Sequence, residues 1–351
     1  MTKKLKFAIL KNEIPEDEKR WIDACVFHSE IIDYELINFV SDKWLEEIMQ
    51  SDADVFLAKP GGINSLYKQM YDEKIAILDK ILRKTIFPSP DEIFIYENKR
   101  FLSYWLKSND LPHPKTNVFY DKNECVDFIS NSPFPVVAKT NIGASGSGVV
   151  ILKEKSQAIQ YINDVFSSKG AAQRIGINFK SGNLLKRALK ILFNPSKLGR
   201  KMKIYSLKKS SIQRNYVIFQ EFVPHTFEWR VVRIGDSFFA HKKLLKGDKT
   251  SGSLIKGYEN PPLSLLSFVK EITDRFSFYS QAVDIFEQNG QYLINEMQCI
   301  FGQSDPYQML VDGEQGRYVY LNDEWVFEKG VFNENESYNL RIEYLIQKYL
   351  K

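Results

Sequence analysis

Residues 135–152 read PVVAKTNIGASGSGVVIL, two short β-branched runs on either side of a loop rich in glycine and serine. β-Branched residues favour strands, and Gly/Ser clusters bound them. The stretch is expected to be a strand ending at Lys139, a loop over Thr140–Gly148 and a second strand. Small residues let several backbone N–H groups converge on an anion, and a lysine at the edge of the loop adds a point charge suited to phosphate. The spacing is not that of a P-loop, because the lysine precedes the glycines, nor a dinucleotide fingerprint, because a strand and not a helix follows. Taken alone, the same pattern suits the tip of a flexible surface hairpin, so its meaning depends on the residues around it.

Toward the C-terminus, YVIFQEFV (216–223) reads as a strand. EWRVVRIGDSFFAHKKL (228–244) reads as a hairpin on Gly235-Asp236, and VDIFEQNGQYLINEMQ (283–298) as another on Asn289-Gly290. Asp284 is a charge flanked by Val283 and Ile285, and a charge in a core-like strand needs a partner or a metal. Glu296 and Gln298 share a face by the period of two. A three-residue turn over 289–291 would set Asp284 opposite Glu296; a two-residue turn would set it opposite Asn295. Two carboxylates and an amide oxygen are hard ligands of the kind that hold Mg²⁺ together with substrate phosphates; the alternative is the solvated face of edge strands. Glu228 and Arg230 share a face of the first hairpin, and Lys242, Lys243 and Lys249 come from its second strand and the loop after it.

Toward the N-terminus, KFAIL (6–10) and ADVFLAKP (53–60) read as buried strands. EKRWIDACVFHS (18–29), SDKWLEEIMQ (41–50) and LYKQMYDEKIAILDKILRK (66–84) read as helices. Strands alternating with helices predict a small α/β domain with a parallel sheet. ENKRFLSYWLKSND (97–110) is expected to be a helix and LPHPKT (111–116) a connector. The fold class is therefore α/β at the start, followed by α+β with antiparallel sheets.

The whole chain has 351 residues, 44% hydrophobic and 26% charged, which excludes disorder and a disulfide scaffold. Three widely spaced cysteines, Cys25, Cys125 and Cys299, have no metal-type spacing and suit a reducing cytoplasm. No apolar run is long enough for a membrane span, and MTKKLKFAIL is expected to be a first strand and not a signal peptide. The net charge of +4 hides an asymmetry: residues 169–214 carry 13 Lys/Arg and no Asp or Glu, while elsewhere 35 Lys/Arg meet all 44 acidic residues. Inside this basic insert, NLLKRALKILF (183–193) reads as an amphipathic helix with Leu184, Leu185, Ala188, Leu189 and Leu192 on one face. It would either cover a neighbouring sheet or meet an anionic partner: a sugar-phosphate or lipid-linked cell-surface precursor, a membrane surface or nucleic acid. Sparse aromatics weigh against single-stranded nucleic acid.

In this order, Asn98-Lys99, PVVAKTNIGASGSGVVIL, FQEFV, FEWRVVRIGD, KTSGS and VDIF…INEMQ resemble the ATP-grasp carboxylate–amine ligases, in particular the branch of glutathione synthetase and the ribosomal-protein glutamate ligases. The resemblance spans roughly 97 to 305. It implies a domain over 1–96 that precedes the grasp, a first grasp subdomain over 97–222 carrying the basic insert, and a second over 223–351 with the metal site and a C-terminal helix. It implies ATP held between two sheets, with Lys99 and Lys139 on phosphates and Ser145, Gly146, Ser147 and Gly148 covering them. Gln220, Glu221, Phe222 and Val223 would form the adenine hinge, with Glu221 giving its side chain to the nucleotide. Glu228 would take the ribose, and Arg230 with Lys242 or Lys243 the γ-phosphate. Asp284, Glu296 and Gln298 would hold one or two Mg²⁺, or Mn²⁺ in their place.

The implied activity is ATP-dependent joining of a small-molecule carboxylate to an amine through an acylphosphate, in the cytoplasm or at the membrane periphery. The alternatives are a phosphotransferase without an amine acceptor and a nucleotide-binding module for an anionic partner. Two departures stand out: Gln298 replaces the usual Asn, and Lys249 the usual Arg. CIFGQSDPYQMLVDGEQGRY (299–318) matches no familiar acceptor region. No Ser-His-Asp or Cys-His set competes. Of the four histidines, expected as core or surface residues, only His241 lies beside the site lysines.

Overall fold

The computed structural model describes residues 4–61, 64–143, 148–171, 206, 212–246, 249–250, 256–301 and 309–350. Ser145, Gly146, Ser147, most of the basic insert with its expected helix, and the side chain of Lys249 lie outside the described residues.

The first domain is a parallel sheet in the order β2-β1-β3-β4, built from β1 (Leu5–Lys11), β2 (Ile32–Asn38), β3 (Val55–Ala58) and β4 (Ile86–Phe87). Helices α1 (Lys19–Phe27), α2 (Trp44–Gln50) and α3 (Ser65–Ala76) alternate with these strands as expected. Strand β2 was not expected. Its sequence, IDYELIN, buries only Ile32 and Ile37, because an edge strand has one neighbour and one half-covered face.

The core of this domain includes Phe7, Ile9 and Phe56, and it also takes in Tyr338, Ile342 and Leu345 from the C-terminal helix (Tyr338–Tyr349). The Trp21 and Tyr338 rings meet edge to face at 4.6 Å. This helix, expected within the second grasp subdomain, thus packs Tyr338, Ile342 and Leu345 into this core and Leu340 into that of the large sheet. After α4 (Pro90–Ile95), helix α5 (Lys99–Ser108) sends Leu102 and Leu106 into the core of the large sheet, together with Leu111.

That subdomain is an antiparallel sheet in the order β5-β8-β6-β7, comprising β5 (Thr116–Phe119), β6 (Val136–Lys139), β7 (Val149–Leu152) and β8 (Val217–Glu221). Helices α6 (Lys122–Ser130) and α7 (Lys155–Val165) back it through Cys125, Ile129, Ala158 and Ile162, which pack on Phe219. The two strands expected over 135–152 are present and pair antiparallel; residues 144–147 of the loop between them lie outside the described residues.

The large sheet runs β14-β13-β9-β10-β16-β15 among the described residues, with β11 and β12 added to β10 and β17 to β16. Its strands are β9 (Phe227–Ile234), β10 (Ser237–Lys246), β11 (Lys249–Thr250), β12 (Lys256–Gly257), β13 (Ser280–Gln288), β14 (Gln291–Gln298), β15 (Leu310–Val311), β16 (Glu314–Leu321) and β17 (Glu324–Lys329). Helix α8 (Leu263–Arg275) packs Leu265, Leu266, Val269 and Ile272 into the core of this sheet, and the C-terminal helix is α9. Both expected hairpins form on their expected turns. Gly235, at φ +55°, turns beneath Tyr344 of α9, and a Cβ there would fall 2.6 Å from that ring. The β16–β17 hairpin was not expected. All three cysteines are buried and free.

Candidate active site

Pairing register places the polar side chains of four strands on one face of the large sheet. Glu228 on β9 lies opposite Lys243 on β10. One step on, Arg230 lies between His241 on β10 and Asp284 on β13, and Asp284 lies opposite Glu296 on β14. Gln298 is the next residue of β14 on that face, opposite Ala282. Strand alternation alone selects these positions, while their neighbours Trp229, Val231, Val283 and Ile285 enter the core behind.

Within the ladder the charges pair closely. Arg230 donates from Nε to Asp284 Oδ1 at 2.7 Å and from a terminal nitrogen to Oδ2 at 2.8 Å. Lys243 Nζ donates to Asp284 Oδ2 at 2.7 Å and to Glu228 Oε2 at 2.6 Å. Asp284 is only 1% exposed. Burial alone would raise its pKa, but Arg230 and Lys243 overcome that and hold it well below the usual carboxylate range. Lys243 shows the mirror case: burial pulls its pKa down, and Asp284 and Glu228 carry it above the usual lysine value.

The second hairpin uses the two-residue turn, which by itself would set Asp284 opposite Asn295. A bulge corrects the register. Gln288 to Ile285 pair with Gln291 to Ile294, and Asp284 then pairs with Glu296, leaving Asn295 as the extra residue. The bulge turns the Asn295 side chain toward the site: Nδ2 donates to Glu228 Oε1 at 3.2 Å, and Oδ1 accepts from Lys139 Nζ at 2.8 Å. The second bond bridges the two sheets. Lys139, 8% exposed, has its pKa lowered to about 8, chiefly by burial and despite the pull of Glu296. Sequence reasoning missed Asn295 because alternation points it at the core; a polar residue between Ile294 and Met297 in a core-directed register was the available signal.

Lys99 opens α5 and faces the same space, 3.5 Å from Glu296 Oε1, with Nζ donating to Gly143 O at 3.0 Å. The start of this helix and the glycine-rich loop are tied together. Asn141 O accepts from Lys99 N and Asn141 Oδ1 from Arg100 N, while Asn98 Oδ1 accepts from Phe101 N. Glu97 Oε2 accepts from Gly143 N at 3.1 Å. Gly148 closes the loop by accepting from Thr140 N through its carbonyl, and a Cβ on it would overlap the Thr140 hydroxyl.

Between α5, β6, β8 and β14 lies an open cleft, with Leu102, Leu106, Ile218 and Ile294 as apolar walls and Lys99 and Lys139 as its cations. Gln220 lines it, and its Nε2 donates to Thr116 Oγ1. Glu221 does not. As the next residue of β8 it turns the other way, exposed, and accepts from Lys115 N at 2.8 Å, which corrects the expectation that its side chain meets the nucleotide. Phe222 and Val223 follow, with Val223 buried. Lys242 is corrected likewise. It lies opposite Trp229, pairs with Glu259 and sits 4.2 Å over the Phe227 ring on the far face, so of the two lysines Lys243 is the one that joins Glu228 and Asp284.

Among the described residues, no three His, Cys, Asp or Glu gather as a metal cluster. Asp284, Glu296 and Gln298 on one face supply two carboxylates and an amide oxygen. That oxygen set is of the kind that suits Mg²⁺, and in this structure both Asp284 oxygens accept from Arg230 and Lys243, which a bound metal would have to displace.

Comparison with known proteins bears on the fold. The family model for the phosphoribosylglycinamide synthetase ATP-grasp (A) domain matches residues 97–178. A phosphoribosylamine–glycine ligase of Fusobacterium nucleatum is 28% identical over 96 residues, a stretch that spans 26% of this chain and 22% of that protein. A RimK domain ATP-grasp protein from Sphaerobacter thermophilus superposes with a TM-score of 0.51 at 14% identity, covering 85% of this chain and 93% of its own. The N5-carboxyaminoimidazole synthetase of Staphylococcus aureus, solved with ADP, superposes with a TM-score of 0.52 at 12% identity, covering 86% and 72%.

Proposed function

We propose, for a chain that has the ATP-grasp fold, that it is an ATP- and Mg²⁺-dependent ligase joining a carboxylate to an amine. The observation that carries this reading is the ladder Glu296–Asp284–Arg230 with Lys243, joined through Glu228 and Asn295 to a cleft lined by Lys99 and Lys139. Such a site offers cations and positioning and no side-chain nucleophile, which is what phosphoryl transfer asks of a protein.

In this reading the adenine lies against Leu102, Leu106, Ile218 and Ile294, and Gln220 reads its edge. Glu228 takes the ribose, Lys99 and Lys139 hold phosphate oxygens, and the loop ending at Gly148 covers them. Asp284, Glu296 and Gln298 would hold Mg²⁺, which neutralises the phosphate charge when bound. The substrate carboxylate attacks the γ-phosphorus, the bond to the bridging oxygen breaks, and its electron pair leaves with ADP. Arg230 and Lys243 counter the charge on the transferring group. The amine then attacks the acyl carbon, the C–O bond to phosphate breaks, and the nitrogen loses a proton as the amide forms.

The test is ADP release over a panel of amino acids, sugar acids and amines, followed by the product mass. Ligation predicts a carboxylate- and amine-dependent mass gain without phosphorus. A stable phosphorylated product would instead favour a phosphotransferase, and nucleotide binding that ignores Mg²⁺ would overturn the reading.

A further inference from the structure

The ladder has one member that the proposed chemistry leaves unused. His241 is 2% exposed, and neither Nδ1 nor Nε2 has a hydrogen-bond partner. Of the other histidines, His113 and His225 each meet a backbone carbonyl through Nδ1, and His28 leaves only Nε2 without a partner, 3.8 Å from Glu343, so among the described residues His241 alone has both nitrogens unpartnered. A buried polar group without a partner is costly, and a ligand in the site could supply one. Its setting is cationic. Arg230 is its register partner on β9, Lys243 is two residues along β10, and Lys256 on β12 lies opposite Lys243. Burial first, then Lys256 and Arg230, push its pKa down to about 3, which keeps the ring neutral with one N–H to donate and one nitrogen to accept.

Two directions fix what that N–H would meet. Along the strands, the cleft that takes adenine lies at the Asn295–Glu228 end, and Arg230 and His241 lie one step farther from it. Across the strands, the acids Glu296 and Asp284 lie on one side of Arg230 and His241 on the other, roughly 5 Å per strand. A γ-phosphate resting on Arg230 with its metal over the acids therefore presents its free side to His241. In-line attack on phosphorus comes from the end opposite the leaving ADP, beyond Arg230 along the strands, and His241 flanks that approach.

Resting on the function proposed above, we propose that His241 is a substrate-binding residue whose ring N–H donates to the carboxylate oxygen that becomes the carbonyl oxygen of the acylphosphate. When the amine adds to the acyl carbon, the C=O electron pair moves onto that same oxygen. The N–H then holds the oxyanion until the C–O bond to phosphate breaks and the carbonyl reforms.

The test uses the full chain carrying ¹⁵N-histidine, saturated with Mg·ADP and titrated with acetylphosphonate, a stable acylphosphate mimic. One ring signal, assigned by its loss in His241→Gln, should shift by several ppm while the other three stay. His241→Leu should weaken acetylphosphonate binding at least tenfold with Mg·ADP affinity retained within twofold, and His241→Gln, which keeps a donor, should recover most of the loss. Should the leucine variant not fold, the wild-type spectrum decides alone. No acetylphosphonate binding to the Mg·ADP complex, or binding that leaves the His241 signal in place, overturns the inference. Loss of Mg·ADP binding by the wild-type chain would instead overturn the ligase reading beneath it.

Discussion

Lys139 is the residue whose environment makes the sharpest demand. Its folded-state pKa of about 8 lies below its ordinary value of 10.5, so the folded chain binds its proton less tightly than the unfolded one. Through this group, folding carries a cost below pH 8 that is relieved as the pH rises from about 8 toward 10.5. Phosphate binding needs the proton, so Mg·ADP affinity should be flat below pH 8 and fall above it by up to about tenfold per unit. Lys139→Arg should flatten the curve, and calorimetric titration from pH 6.5 to 9.5 checks both. Lys139→Ala should weaken ATP binding at every pH. Asp284 makes the opposite demand. Asp284→Asn leaves Arg230 and Lys243 buried beside a neutral amide, which should cost about 3–5 kcal/mol in urea unfolding and abolish turnover. Lys242→Ala, on the far face, should change kcat less than about threefold.

The bulge in β14 explains both what the sequence disclosed and what it hid. Both hairpins, their turn residues and the facing pair Arg230 and Glu228 were legible, because period-two alternation and Asn-Gly or Gly-Asp turns are local signals. The Asp284–Glu296 register was left open, since one extra residue in a strand is invisible to alternation. Lys242 and Lys243, and likewise Gln220 and Glu221, could not be ranked until the pairing said which face was which. Strand β2 and the β16–β17 hairpin lacked a strong apolar pattern because both lie at sheet margins. Deleting Asn295 should restore a regular ladder with the two acids still facing each other. Only the links to Lys139 and Glu228 would be lost. The variant should fold, with thermal unfolding within a few degrees of the parent, and bind Mg·ADP about tenfold more weakly, about 1.4 kcal/mol. Unchanged affinity would show that the bulge has no part in holding nucleotide.

At the scale of the molecule, three cores among the described residues share one chain that doubles back on itself. The parallel domain was legible from strands alternating with helices. Its dependence on α9 was not, because an amphipathic helix announces that it will pack and does not say against what. Ile342 is fully buried in that core, and Ile342→Ala should cost about 2–4 kcal/mol in denaturant midpoint while the remaining folded protein keeps its Mg·ADP affinity. The same placement has a consequence during synthesis. Strands β1 to β4 emerge early, yet Tyr338, Ile342 and Leu345, which finish their packing, emerge roughly 250 residues later, on the order of 12–50 s at ordinary elongation rates. For that interval the nascent first domain stands with an apolar groove open, and a ribosome stalled in the second half of the message would release a chain suited to chaperone capture and not to catalysis.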